Sequence, residues 1–367
     1  MMVGRRESGW LPAAMLGAVL ILTSSRIAGA QEARSLLLLP LENVSGNIES
    51  LGLLMPVLER ALRDHGYRLA EEEKLEGFLG RNRIRSTGEL SRTHLTAARR
   101  DLDAAVAMVG SITIFNDLAG YPQWGVSARL LDTGSGAIVW AGSAGFTGDD
   151  FTIALGLGTI TSPQRLAEET VKELLRDLPA PGEPAVFPPW RRSLLSRMLR
   201  IRASYRSPTL DTNPPKLVAV LPFENLSERR GAGRIVGDIF TSALVRSRFY
   251  EIVEPGTVTE ALRAIGVVPY GNIDLETLAA LRERLKVDAI ILGTVLEYSE
   301  GLKRGAVTSP EVVFDARMLD AEDGIIVWFA ERVRNGDDTR IAMHFGTIRA
   351  MVPLVSSAAN ELLGTLR

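Results

Sequence analysis

The cluster Arg230-Gly231-Ala232-Gly233-Arg234-Ile235-Val236-Gly237 follows an apolar strand and opens a helix, and Glu254 ends the strand after it. Those residue types could bind a nucleotide, with glycine amides at a helix start around a pyrophosphate and an acid on the ribose. A dinucleotide loop turns tightly off its strand, however, and here residues 224–230 intervene. Two aspartate pairs, Asp149-Asp150 and Asp337-Asp338, could serve acid-base or metal chemistry. Their place before a helix favours capping, in which a carboxylate takes up free amides. The three histidines, His65, His94 and His344, form no HExxH motif, and the absence of cysteine excludes thiol catalysis, thiolate metal sites and disulfides. No catalytic residue, metal site or cofactor is expected.

Most of these features occur twice. Leu39-Pro40-Leu41-Glu42-Asn43-Val44-Ser45 returns as Leu221-Pro222-Phe223-Glu224-Asn225-Leu226-Ser227, and Ala128-Arg129-Leu130-Leu131-Asp132 returns as Ala316-Arg317-Met318-Leu319-Asp320. Val139-Trp140 and Gly148-Asp149-Asp150 reappear as Val327-Trp328 and Gly336-Asp337-Asp338, so the echoes keep their order 182 to 188 residues apart. That separation is too long for solenoid repeats and reads as a duplicated domain. The aspartate pairs, the sequons Asn43-Val44-Ser45 and Asn225-Leu226-Ser227, and Trp140 with Trp328 therefore belong to the shared fold. The glycine cluster is not shared.

The 367 residues include 46% hydrophobic and 23% charged ones, with a net charge of −2. Such a chain can build two cores and is a poor general binder of nucleic acid. Residues 1–30 read as a secretory signal, with Arg5-Arg6, an apolar stretch from Trp10 to Leu22, and Ala28-Gly29-Ala30 as the cleavage site. That stretch is shorter than the roughly 20 residues that span a bilayer. An exported, periplasmic or outer-membrane-associated protein is expected, not lipidated because it has no cysteine.

Each repeat has the pattern strand, helix, strand, two helices, three strands, helix. In the second, strands are predicted at Lys216–Phe223, Tyr250–Val253, Ala289–Glu297, Val312–Asp320 and Ile325–Phe329. The fold class is α/β: two tandem similar sandwich domains at residues 31–178 and 216–367, each a mixed sheet of about five strands flanked by helices. Residues 179–215 form the linker and hold eight of the eighteen prolines. Within it Trp190, Arg191, Arg192, Arg197, Arg200, Arg202 and Arg206 accompany Leu194, Leu195, Met198, Leu199 and Ile201. As an amphipathic helix, this segment would touch an anionic membrane or an acidic partner, or dock on its own domains.

The repeated motifs resemble the superfamily that contains the curli assembly component CsgG, the penicillin-binding-protein activator LpoB and the amino-terminal domain of TolB. The resemblance covers residues about 35–178 and 216–367 and carries no catalytic residue. It implies an α/β sandwich used for protein association in the bacterial envelope. CsgG-type and LpoB-type proteins are lipoproteins, whereas this chain has no anchoring cysteine, and Ser299–Ser309 is too short and polar for a pore hairpin. The expected function is a non-catalytic envelope protein-binding or scaffold module, with envelope proteins as partners and homo-oligomers allowed. The alternatives are a nucleotide-dependent enzyme or regulator using Gly231–Gly237, and an oligomeric secretion component.

Overall fold

The computed structural model describes residues 35–118, 121–152, 157–190, 202–268, 272–303, 306–307, 309–340 and 346–367. The signal-like segment 1–30 therefore lies outside the described residues. The first half runs β1 (Ser35–Leu38), β2 (Glu42–Asn43), α1 (Glu49–Asp64), β3 (Arg68–Leu69), α2 (Glu72–Arg81), α3 (Arg92–Leu102), β4 (Val106–Leu118), β5 (Tyr121–Asp132), β6 (Ile138–Thr147) and α4 (Pro163–Leu174). The connector adds β7 (Ala203–Arg206) and α5 (Thr209–Thr212). The second half runs β8 (Leu217–Val220), β9 (Glu224–Asn225), α6 (Ala232–Ser247), β10 (Glu251–Ile252), α7 (Pro255–Ile265), α8 (Leu275–Leu285), β11 (Ala289–Ser299), β12 (Leu302–Lys303), β13 (Ala306–Val307), β14 (Glu311–Asp320), β15 (Ile326–Asn335) and α9 (Met351–Leu363).

The two halves thus build two mixed sheets flanked by helices, the expected α/β class. The strand order is β3-β1-β4-β5-β6 in the first sheet, with β2 beside β4. It is β10-β8-β11-β14-β15-β7 in the second, with β9 beside β11. The registers agree as well. Met108 pairs with Leu130 as Ile291 pairs with Met318, and the bulges fall at Thr113 and Leu296. Each central run, such as Leu36–Leu39, is apolar because both faces are covered. Leu36, Leu38, Met108 and Leu130 meet α1 and α4, while Leu37, Leu39, Ala107 and Val109 meet α2 and α3.

Local sequence sets the ends of the helices. Ser91 and Asp274 accept the His94 and Thr277 amides and cap α3 and α8, while Asp103, Arg248 and Lys286 end α3, α6 and α8 in the left-handed conformation. The final helix begins at Met351, after a 3-10 turn at Gly336–Thr339; residues 341–345 lie outside the described residues. The connector also differs from expectation. Ala203–Arg206 is a strand paired with Trp328–Glu331, so an amphipathic helix cannot continue to Arg206. The second sheet therefore takes its last strand from residues ahead of 216.

Candidate functional site

Period-2 alternation puts Ser111, Thr113, Gly125, Ser127, Arg129, Ala141, Ser143 and Gly145 on one face of the first sheet. These residues, Arg129 apart, are small. They admit α6 and α9, which also cover their own sheet, so both helices lie between the two sheets. The close approach is visible at Gly145, where a Cβ would lie 2.8 Å from Val352 Cβ of α9, and at Gly125, where it would lie 2.9 Å from Val352 Cγ2. Ile114 of the first half joins the second half's core.

One cluster of buried charge lies in this seam, and another, Arg332 and Arg334 on Glu361, lies within the second half. The Arg129 guanidinium is fully buried and donates from Nε to Glu254 Oε2 at 3.1 Å, from Nη1 to Asp238 Oδ1 at 3.3 Å and from Nη2 to the Gly88 carbonyl at 3.1 Å. Ser111 Oγ donates to Asp238 Oδ2 at 2.7 Å, and Ser127 and Ser242 hydroxyls meet at 3.2 Å. Arg234 bridges Asp238 at 3.3 Å and Glu42 at 3.1 Å, and Glu42 also accepts from Ser86 and the Gly88 amide. Burial alone would lower Arg129, but Glu254 and Asp238 outweigh it and the guanidinium is held protonated. Burial pushes the Glu254 carboxyl up, against the pull of Arg129. The charges of Arg129, Asp238, Glu254, Arg234 and Glu42 pair with one another, and the arrangement joins the halves.

A second contact joins α3 to α7. The Arg92 amide donates to Thr257 Oγ1 at 3.1 Å, Thr93 Oγ1 meets Glu260 at 3.1 Å and Thr259 Oγ1 meets Glu89 at 3.3 Å. Gly256 allows it, for a Cβ there would lie 2.5 Å from the Leu90 carbonyl.

The nucleotide reading meets a correction here. Glu254, its ribose acid, is 1% exposed and spent on Arg129. Gly233 and Gly237 lie inside α6 rather than in a phosphate loop, and a Cβ on Gly233 would sit 2.3 Å from the Phe223 carbonyl. The glycine serves close packing of helix on strand end.

The aspartate pairs fold onto their own backbone: Asp150 accepts from the Thr147 amide at 2.7 Å and Asp338 from the Asn335 amide at 3.0 Å, capping boxes on 3-10 turns. Asn43 and Asn225 each accept from the hydroxyl two residues on at 2.7 Å, closing matching turns. Trp140 and Trp328 are fully buried. Among the described residues no group of histidines and acids could hold a metal ion.

Of the linker residues, Arg191, Arg192, Arg197 and Arg200 lie outside the described residues. Trp190 stacks edge-on against Phe249, with centroids 5.3 Å apart, and under Arg367. Arg202 pairs with Glu331 at 3.0 Å, and Arg206 grips Asp211 and the Leu366 carbonyl. These three residues are thus engaged within the chain. The Arg129 network was missed from sequence, although both Arg129 and Arg317 stand in the repeated Ala-Arg-x-Leu-Asp motif. An arginine at an inward position of a strand is the signal that could have found it.

No family model matches the chain, and no curated protein matches it. Among solved structures it is similar to the PelC dodecamer from Paraburkholderia phytofirmans, with 19% identity over 45% of this chain and 97% of that one and a TM-score of 0.30. It is also similar to lipoprotein GNA1162 from Neisseria meningitidis (22% identity, 33% of this chain, 83% of that one, TM-score 0.27). The LpoB C-terminal domain from Salmonella enterica shows 12% identity over 38% of this chain and 91% of that one, with a TM-score of 0.26.

Proposed function

We propose that the chain is a tandem duplication of the fold shared by CsgG, LpoB and the TolB amino-terminal domain, exported to the cell envelope as a non-catalytic binding or scaffold module. The observation that carries this reading is the seam: Arg129, Asp238 and Glu254 are closed from solvent and used to hold one half on the other. The signal-like residues 1–30 support export, and the repeated motifs support the superfamily. The arginine segment 191–200 is the proposed contact to an acidic envelope partner or anionic lipid.

The test is recovery from envelope extract with the full chain and with Arg191, Arg192, Arg197 and Arg200 changed to Gln. Arg202 and Arg206 stay unchanged because they pair internally. The reading expects envelope fractionation and a partner or lipid recovered by the parent and lost by the variant. Equal recovery by both rejects the linker contact. Micromolar binding of a nucleotide to the purified protein overturns the non-catalytic reading.

A further inference from the structure

The seam inside the chain shows what the matching surface of the second half is shaped to receive. Register places Thr294, Leu296, Asp315, Arg317, Glu331 and Val333 of the second sheet where the first has Ser111, Thr113, Ser127, Arg129, Ser143 and Gly145. In the first sheet α6 and α9 close this face and Thr113 is 0% exposed; in the second, Leu296 is 39% exposed. Glu224 stands where Glu42 meets Arg234, with no ion-pair partner among the described residues. Asp315 is half-buried, and its Oδ1, the shielded oxygen, has no hydrogen-bond partner among them either. Asp315 and Glu331 replace two serines of the counterpart, with Glu331 paired to Arg202 and Asp315 on the same face as Arg317.

The complementary surface is on the first half. Helices α1 and α6 have the same length, and their buried stripes correspond: Leu54, Leu58 and Leu62 take the places of Val236, Phe240 and Leu244. The stripe of α6 that enters the seam, Arg234, Asp238 and Ser242, then corresponds to Gly52, Pro56 and Arg60 of α1. All three are exposed, and Arg60 has no ion-pair partner among the described residues. Ser242 meets Ser127 inside the chain. At the matching positions Arg60 is a cation and Asp315 an under-bonded anion. Size changes in the same sense, since Gly52 and Pro56 present little bulk to a face that carries Asp315 and Val333 instead of serine and glycine.

We propose that the second sheet's open face docks α1 and α4 of another copy of this chain, repeating between molecules the contact that joins the halves, with Arg60 against Asp315. The proposal rests on the association reading above and names a second copy as one partner. A head-to-tail contact leaves a free face at each end, so it generates a ring or a filament and not a two-fold dimer. Helix α4 presents Glu168 and Lys172 where α9 presents Ser356 and Asn360, so the contact between copies is more polar than the internal one and weakens with salt.

Sedimentation velocity of the full-length exported protein tests this at rising concentration, with the parent, Arg60→Asp, Asp315→Arg and an equimolar mixture of the two variants. The parent is expected to assemble and to dissociate in high salt. Each variant alone places like charges at the contact and raises the concentration needed for assembly by at least about tenfold. The mixture recovers assembly, because each variant's helix then faces an opposite charge on the other's sheet, and this recovery also shows that both variants fold. A parent that stays monomeric at every soluble concentration overturns the proposal, as does assembly by the single variants equal to the parent's. If the monomeric parent still recovers an envelope partner, self-docking fails while the association reading stands.

Discussion

In the first half, the sheet face bearing Ser127 and Arg129 is sealed by helices of the second half; in the second half, the matching face bearing Asp315 and Arg317 stays partly open. The backbones agree down to the bulge, so the difference lies in side chains. Hydroxyls and glycines make a sheet face that a helix can approach closely, and one buried arginine there demands carboxylates from the incoming helices. The other face carries acids and branched residues at those positions and, among the described residues, no helix of its own chain in the equivalent place. Matching helices diverge in parallel: α9 brings Val352 to the seam, and α4 has Gln164 at its second position.

Removing the same arginine from each half separates the two faces most strongly. Arg129→Met leaves Asp238 and Glu254 buried without their cation and is expected to cost about 3–5 kcal/mol in urea unfolding. Arg317→Met removes a partly exposed side chain bonded to Asn272 and should cost less than about 1 kcal/mol. Equal losses would mean that the seam does not depend on its buried charge.

A smaller effect probes packing. Gly145→Val forces bulk against Val352 and the Trp124 carbonyl and should destabilise by about 1–3 kcal/mol. The second half already holds valine there, and Val333→Ala, at a partly exposed site, should cost under about 1 kcal/mol. The order of the two losses is the readout, and its reversal would put the close approach elsewhere.

The sequence signals reach unevenly across this molecule. Apolar runs such as Leu36–Leu39 and the helical spacing of Leu275, Leu278 and Leu281 expose the core elements, because burial dictates those residues. The run Gly142-Ser143-Ala144-Gly145 hides the far end of β6, which continues to Thr147. Glycine, serine and alanine have poor strand preference, and what holds them extended is the helix pair arriving from more than 80 residues later in the chain. The same long-range cause concealed the site: Arg129 reads as part of a repeated motif until Asp238 and Glu254 are brought beside it. In sequence Glu254 reads as a ribose acid, since its place after a strand suits that role as well as a buried partner's.

The finest test exchanges the polar groups at one sheet position. Burial raises the Asp315 carboxyl to about 6, with Arg317 pulling it down and Glu331 and Glu224 pushing it further up. An acid raised in the folded state adds stability that is full below its ordinary value near 3.8 and lost as pH climbs through about 6. Asp315→Asn should therefore flatten the pH dependence between those values and raise stability at pH 7 by about 1 kcal/mol, a figure discounted for the site's partial exposure. Ser127→Ala at the equivalent position forfeits bonds to Ser143 and Ser242 and should cost about 1 kcal/mol at any pH. Urea unfolding of the monomer at acid and neutral pH separates them. A destabilised Asp315→Asn at neutral pH would mean that the pull of Arg317 outweighs the cost of burial, and the open face would lose the uncompensated charge that distinguishes it from the sealed one.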